Sequence, residues 1–599
     1  MPIMINRHRV STFVKKNLPL FEILLVVIIS IPAFISLLRT GYFTMHDDQQ
    51  IARLFLLDQG IRQGAVYPRW VGFLGFGYGY PLFNFYPPLI YYLAEGFHLL
   101  GFSLIWSVKA LIITGYLLAA IGIYVLGKGL YNRKAGFLGS AIYTYFFYHT
   151  VNVYVRGALA EFFAMTVLPY VFLSLFRLFK KPSLANSLIW AFMLALLILT
   201  HPLIAFPAII YFGVTIIYHL WQTQGTKQKI IFFSRTVVGG LTGLALAAFF
   251  WVPSILEKKY TLIDAILTKE LAYYQLHFVY PSQFWYSLWG YGGSTAGMQD
   301  GMTFQLGKGP ILLAVVSLVL SLFIILFKIK KAATEKAVNT LFFVLLLVFS
   351  LFMCLPYSSI VWDKIQYLWY LQFPWRFLTF VALFIALVGS SSIYYLELLF
   401  PNKAITTGLT IVLVFSMILV YSKYCVPQKY LLVSDQSRTT FPEIAWSISK
   451  TSFEFVPKRV KTTKTALGTT TVAINQNQLP KIPYTLLDGD ARVQIVKNHF
   501  QEKQFIVEAA TPVIFRLNTY DFPGWKTDID PPVVNFNYAA YLDNPYKLIT
   551  VSLPAGTYTL TFRFEDTLVR LLANYLSLIS FLIIMFIILK QTIALSRNL

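Results

Sequence analysis

The residues best equipped for chemistry lie in one short run, Gly41-Tyr42-Phe43-Thr44-Met45-His46-Asp47-Asp48-Gln49-Gln50. Two adjacent carboxylates and an imidazole come a few residues after a long apolar stretch. An unpaired carboxylate at that depth is costly, so the pair needs a reason to be there. One reason is a general base, or a metal ligand, held where an acceptor hydroxyl meets a lipid-bound donor. The other is that Asp47 or Asp48 caps the following helix while its neighbour is solvated.

A second group holds His149, Asn152, Tyr154, Arg156 and Glu161. Arg156 and Glu161 are five residues apart with Gly157 between them. That spacing suits a pair that neutralises a buried carboxylate, or a direct substrate contact. His201, in Thr200-His201-Pro202, stands at a helix end, where a histidine serves as a hydrogen-bonded cap or as a ligand. Arg376 opens an apolar run within Gln372-Phe373-Pro374-Trp375-Arg376-Phe377. A guanidinium there matches phosphate oxygens, or snorkels to ordinary headgroups beside the Trp375 anchor. Lys258 and Lys259 face the same choice. The aromatics from Tyr273 to Trp289 suit sugar stacking and a membrane interface equally.

The elements that must position these groups belong to a membrane protein. Of 599 residues, 57% are hydrophobic and 13% charged, against about 25% charged in soluble domains. Disordered, collagen-like and disulfide-scaffold classes are excluded, since Cys354 and Cys425 are the only cysteines and neither has metal-ligand spacing. The formal charge of +23, from 49 Lys and Arg against 26 Asp and Glu, is scattered between apolar runs. It orients helices rather than binding nucleic acid. No phosphate-binding G-x-x-x-x-G-K-[ST], G-x-S-x-G elbow or H-E-x-x-H zinc helix is present. The eight histidines are scattered, and no inner loop is long enough for a nucleotide-driven domain.

With about 20 apolar residues needed per span, the sequence predicts twelve: 18–39, 103–127, 135–150, 158–178, 184–200, 203–222, 230–252, 309–327, 337–355, 374–396, 404–422 and 568–590. The first is read as a retained anchor, too long for a signal peptide. Basic residues follow the even-numbered spans: Lys128, Arg133 and Lys134; Arg177, Lys180 and Lys181; Lys227 and Lys229; Lys328, Lys330 and Lys331; Lys403. Both termini are therefore expected in the cytoplasm of a bacterial-type plasma membrane. The stretch 86–101 is read as an amphipathic helix at the outer interface, and 71–85 as a loop on the membrane surface. A further amphipathic helix, with Ile51, Leu54, Phe55, Leu57 and Ile61, is placed on the bilayer. The expected division is 1–422 as a transmembrane domain with outer loops 40–102 and 253–308, an extracytoplasmic β-sandwich within 423–567, and a last span with a cytoplasmic tail in 568–599. The β assignment rests on alternation at Gln494–Val496, Phe505–Val507 and Tyr558–Phe564, with turns at Asp488-Gly489, Pro523-Gly524 and Pro554-Ala555-Gly556.

A spanning helix, an acidic outer loop, amphipathic juxtamembrane helices and many further spans resemble the GT-C superfamily of lipid-linked glycosyltransferases. More closely, the chain resembles the bacterial 6-pyruvoyl-tetrahydropterin synthase-related and YfhO-type membrane proteins. The residues that carry the resemblance are HDD at 46–48, YPRW at 67–70, YPPLIYYLA at 86–94, RGALAE at 156–161, THP at 200–202, FFWVPSILE at 249–257, WGYGGS at 289–294 and FPWRFL at 373–378, with YDFPGWKTDID at 520–530 and LPAGTY at 553–558.

The resemblance implies transfer of a sugar from a polyprenyl-phosphate donor to an extracytoplasmic glycan or protein acceptor, by inverting attack. It implies an Asp base in the first outer loop, here Asp47 or Asp48, and donor phosphate binding by Arg376, Lys258 and Arg156. His46, Glu161 and His201 are the supporting residues. No cofactor is required, although a divalent cation is compatible; HDD lacks the spaced D-x-D of some metal-dependent relatives. The same layout also fits a transporter or flippase for a lipid-linked substrate, or a non-catalytic cell-envelope assembly protein.

Overall fold

The computed structural model describes residues 7–466, 468–533 and 544–596. The last three residues of the expected tail, 597–599, lie outside the described residues. Among the described residues, nine helices are long and apolar enough to cross a membrane: Leu104–Leu130, Leu159–Lys180, Pro202–Gln222, Thr226–Leu246, Lys308–Leu326, Lys331–Cys354, Pro374–Leu399, Lys403–Tyr424 and Leu568–Lys590. Two shorter apolar helices, Leu18–Ala33 and Leu184–Thr200, add to them. The remaining expected span, 135–150, is broken into helices Arg133–Thr144 and Phe147–Tyr154. Likewise, the run 230–252 is divided at Ala247 between Thr226–Leu246 and Ala248–Glu257.

Side-chain caps set several helix starts. Ser103 accepts from the Trp106 N–H, Asn132 from Ala135, Ser183 from Asn186, and Asn402 from Ala404 and Ile405, each satisfying donors that the first turn leaves open. The bundle is organised around the Leu378–Leu399 helix, which is buried along nearly its whole length and packs against Arg133–Thr144, Lys308–Leu326 and Lys331–Cys354. An all-round buried helix needs small residues where backbones approach. Ser390 meets Gly139, and Ser391 hydrogen-bonds Ser317.

Between the last two long helices the chain turns to strands. A three-stranded antiparallel sheet has the order β10 (Leu548–Leu553), β8 (Val513–Tyr520), β5 (Tyr484–Asp488). A four-stranded antiparallel sheet has the order β6 (Ala491–Asn498), β7 (Glu502–Ala509), β11 (Gly556–Phe564), β9 (Trp525–Asp530). Their inner faces meet through Phe505, Phe515 and Phe562, with ring centroids 5.2 and 6.1 Å apart, as expected of a sandwich core. The three predicted turns all fall between strands. Gly489 needs its glycine: φ is +80° and a Cβ would strike the Pro512 carbonyl.

Between 430 and 455 the chain follows the first long loop rather than joining the sandwich: Arg438 reaches Asp48, Ser449 Phe76, Thr451 Gln49, and Phe455 Tyr80. β1 (Tyr42–Phe43) pairs antiparallel with β2 (Tyr430–Leu431), and β3 (Thr462–Lys464) with β4 (Thr470–Val472). The 71–85 segment is a correction to the sequence reading, since it packs beneath the β domain. Trp70 is enclosed by Phe522, Trp525 and Phe564, and Tyr78 by Tyr520 and Tyr546. The Gln50–Arg62 helix is also not laid on the bilayer, because protein buries it on nearly all sides. Arg53 explains why. Its guanidinium lies 3.8 Å from the centre of the Tyr86 ring and donates to Gln49, Tyr91 and Ser452, a set of partners that only an enclosed helix can meet. The 86–101 stretch contains an eleven-residue helix, Leu89–Leu99, too short to span.

The 435–443 segment also braces the bundle. The Asp435 carboxylate accepts from Leu104 and Ile105 N–H at 2.7 and 3.0 Å, a cap supplied from more than 300 residues away in the chain. Asp435→Ala is expected to cost about 1 kcal/mol, read as a lower melting temperature of the detergent-solubilised protein.

Candidate active site

The His46–Asp47 run is held by backbone. Thr44 N–H donates to the Lys429 carbonyl at 3.1 Å, His46 N–H to Val155 at 3.0 Å and Asp47 N–H to Arg156 at 2.8 Å. The run is thus stapled between the 429–431 strand and the turn that begins the Leu159–Lys180 helix. Gly157 makes that turn possible. Its φ is +68°, Met45 occupies the place of a Cβ, and its carbonyl accepts from the Gln50 amide at 2.8 Å.

In the first turn of that helix, the Glu161 carboxylate gathers both arginines singled out by the sequence. Arg156 Nη1 donates to it at 2.9 Å and Arg376 Nε at 3.3 Å. The Tyr148 hydroxyl also donates to it, and Thr379 Oγ1 does so at 3.4 Å. The side chains of Arg156, Arg376 and Glu161 are 8%, 10% and 1% exposed. Arg156 further donates to Asn152 and to the Tyr148 hydroxyl, and its guanidinium lies 4.5 Å from the centre of the Trp375 ring. Arg376 Nη1 donates to the Leu371 carbonyl at 2.6 Å and to Gln372 Oε1 at 3.1 Å.

Two guanidiniums face one buried carboxylate. Asp47, exposed, is a second carboxylate acting on both arginines. Burial by itself would pull the Arg156 guanidinium down. Glu161, with Tyr148 and Asp47 behind it, holds the group above the ordinary arginine range. His201 Nδ1 caps the Pro202–Gln222 helix by accepting from Ile204 N–H at 3.1 Å, and burial pulls its imidazole down to about 3. His46 donates through Nε2 to the Tyr291 carbonyl at 2.9 Å, which brings the 289–301 loop alongside. In that loop Ser294 accepts from Trp375 Nε1 at 3.2 Å and hydrogen-bonds His277.

Asp48 turns away from this cluster. Its Oδ2 pairs with Arg438 at 2.6 Å, and Arg438 pairs with Glu443 at 3.1 Å. Burial raises the Asp48 carboxyl above its ordinary 3.8, and Arg438 opposes that rise. A raised carboxylate contributes stability that is full below the unfolded value and lost as pH rises through the folded one. Arg438→Ala removes the opposing charge, so melting temperature in that variant is expected to fall more steeply than in wild type as pH rises above the ordinary aspartate value. A melting series over rising pH checks it.

Lys258 is in a different group. It pairs with Asp264 at 3.2 Å, donates to the Tyr370 hydroxyl and lies 3.9 Å from that ring's centre. Its neighbour Glu257, not singled out by sequence, is the buried residue. Arg570 Nε, Thr567 Oγ1 and Asn84 Nδ2 donate to it at 2.9, 2.6 and 2.8 Å. Arg69 of YPRW extends this second network to Asp566 at 3.2 Å, Asn574 at 2.8 Å and the Phe249 carbonyl at 2.9 Å. The one available signal was a carboxylate at the end of an apolar run, Ile255-Leu256-Glu257. Among the described residues, no group of three or more His, Cys, Asp or Glu side chains is arranged to hold a metal ion.

No family model and no curated protein matches the chain. Among solved structures, it is similar to the arabinofuranosyltransferase AftD from Mycobacteria, with 11% identity and a TM-score of 0.44 over 69% of this chain and 27% of AftD. It is also similar to the Archaeoglobus fulgidus oligosaccharyltransferase tethered with an acceptor peptide containing the NVT sequon, with 13% identity and a TM-score of 0.43 over 70% of this chain and 56% of that one. A third similar structure is AglB from the same organism in complex with an inhibitory peptide and a dolichol-phosphate, at 13% identity and a TM-score of 0.36. The chain thus spans about a quarter of AftD and little more than half of the oligosaccharyltransferase.

Proposed function

We propose that the protein is an integral membrane glycosyltransferase that moves a sugar from a polyprenyl-phosphate donor to an acceptor outside the cytoplasm. The observation that carries this reading is the meeting of Asp47 with the Arg156–Glu161–Arg376 cluster. An exposed carboxylate stands beside two buried guanidiniums, and protonating it leaves them with Glu161 alone as counter-charge. A base next to an anion-binding pair is what displacement of a phosphate leaving group requires. The motif resemblance to GT-C enzymes supports the same assignment.

In this mechanism the donor's lipid tail lies among the helices and its phosphate docks against Arg156 and Arg376. Glu161 fixes the forks of both arginines, and Tyr148 and Asn152 complete the fixing of Arg156. The acceptor hydroxyl attacks the anomeric carbon while its proton passes to Asp47. The bond from that carbon to the phosphate oxygen breaks with inversion, and polyprenyl phosphate departs as the anion stabilised by the two guanidiniums. Asp47 then returns its proton to water. Asp48 anchors the loop through Arg438, His46 ties it to the 289–301 loop, and His201 supports Glu161 from the neighbouring helix start. Lys258, engaged with Asp264 and Tyr370, stands apart from the reaction. The positive-inside rule, applied to the basic short connections, supports an orientation with Asp47 and the β domain outside, where a lipid phosphate would replace the nucleotide as activating group.

The test compares surface glycans and lipid-linked sugars, by mass spectrometry, between wild type and a deletion strain. Loss of one defined sugar with accumulation of its lipid-linked precursor is expected. Unchanged glycans, together with lipid flipping by the purified protein, would replace transfer with transport.

A further inference from the structure

Apart from the arginine cluster, the chain encloses an open cleft of about 680 Å³ between the 72–79 loop, Phe441-Pro442, the 476–483 connection and the β sandwich. One wall is aromatic. Phe73 meets Phe441 and Phe500 edge-on, with ring centroids 5.3 and 5.7 Å apart. Glycines keep this wall low: a Cβ on Gly77 would lie 2.8 Å from Phe441 and 3.0 Å from Pro480. The rim carries exposed primary amides, Gln476, Asn477 and Asn498, and two lysines, Lys481 and Lys503. Lys503 Nζ donates to Asn498 Oδ1 at 2.8 Å. None of the described residues lining the cleft is an aspartate or glutamate.

Each part of this lining answers a feature of a charged sugar chain. Flat rings cover the C–H faces of pyranoses, primary amides donate to and accept from neighbouring hydroxyls, and ammonium groups without carboxylate competitors attract an anion. A lipid tail would leave the amides and lysines unmatched. We propose that the cleft binds an oligosaccharide bearing negative charge, as carboxylate or phosphate. Phe441 lies three residues beyond Arg438, which holds Asp48 and Glu443, so one short segment forms both a cleft wall and the brace of the Asp47 loop. This inference does not rest on the transferase reading, because binding is measured without transfer.

The experiment presents the full-length protein, in nanodiscs, with an array of defined tri- to hexasaccharides: neutral, uronate-bearing and phosphate-bearing, with a peptide library of matched size. Binding of the charged sugars is expected, the uronate and phosphate arms telling which anion is preferred. Lys481→Glu and Asn477→Ala, both at exposed positions, should each weaken binding roughly tenfold without altering melting. Phe441→Ala should act in the same direction. Asp47→Asn should leave binding unchanged. The proposal falls if no charged sugar binds, if neutral sugars or peptides bind in their place, or if Lys481→Glu and Phe441→Ala bind as wild type does. Loss of binding in Asp47→Asn would also overturn it, since the ligand would then sit at the Asp47 site.

Discussion

Asp47→Asn is expected to reduce sugar transfer by roughly 10²–10⁴-fold, with little change in folding. The loop that carries Asp47 is held by backbone hydrogen bonds to Val155 and Arg156 and by the β1–β2 pairing. None of these needs the carboxylate, and asparagine keeps the shape while losing the base. Asp48→Asn is the matched control. It disturbs a pair with Arg438 that is about a quarter exposed, so transfer should fall by less than about tenfold. Turnover of lipid-linked sugar by purified protein, followed by mass spectrometry, separates the two. Equal activity of wild type and Asp47→Asn would remove Asp47 from the mechanism.

The second large effect belongs to Glu161. Its carboxylate is the shared partner of two buried guanidiniums, and truncating one side of a buried ion pair costs about 3–5 kcal/mol. Glu161→Ala leaves Arg156 and Arg376 facing each other with like charge, so the cost should lie at the upper end of that range. Thermal unfolding in detergent gives the measurement. Glu161→Gln, which keeps hydrogen-bonding capacity but not charge, should fall between wild type and alanine. Adding Arg376→Met to Glu161→Gln should recover part of the loss, because one of the two uncompensated charges is gone. A melting temperature for Glu161→Ala equal to that of wild type would mean that water already neutralises the pair.

Most of the helical layout was legible because spanning helices are written in composition over some twenty residues, and composition is local. The β region was legible for a similar reason: strand alternation and the Gly and Pro turns at 488–489, 523–524 and 554–556 need no distant partner. The break at Tyr145–Phe146 was hidden, since neither residue interrupts an apolar run and no proline or glycine marks the bend. The same holds at Ala247. Misplacing the 71–85 loop and the Gln50–Arg62 helix on the bilayer has one cause: an apolar surface looks the same whether lipid or a later part of the chain covers it.

For the candidate site, residue types pointed to Arg156, Glu161, Arg376, His201 and Asp47, which the fold brings together. What the sequence did not divide was the Asp47–Asp48 pair, because the division depends on Arg438, nearly 400 residues later. Arg53, Glu257 and Arg570 escaped notice on the same ground. Each looks like an isolated charge until its partner arrives from elsewhere in the chain: Ser452 for Arg53, Asn84 for Glu257, and Glu257 for Arg570.

The pairing of Tyr42–Phe43 with Tyr430–Leu431 has a consequence for biosynthesis. The loop bearing Asp47 emerges from the ribosome early, but its partner strand is made only after nearly all the spanning helices have been translated. A chain that ends within the Lys308–Leu326 helix already contains Asp47, Arg156 and Glu161 but lacks both Arg376 and the strand that pairs with the Asp47 loop. Arg376 and the pairing strand can therefore join this cluster only after Leu431 has been made.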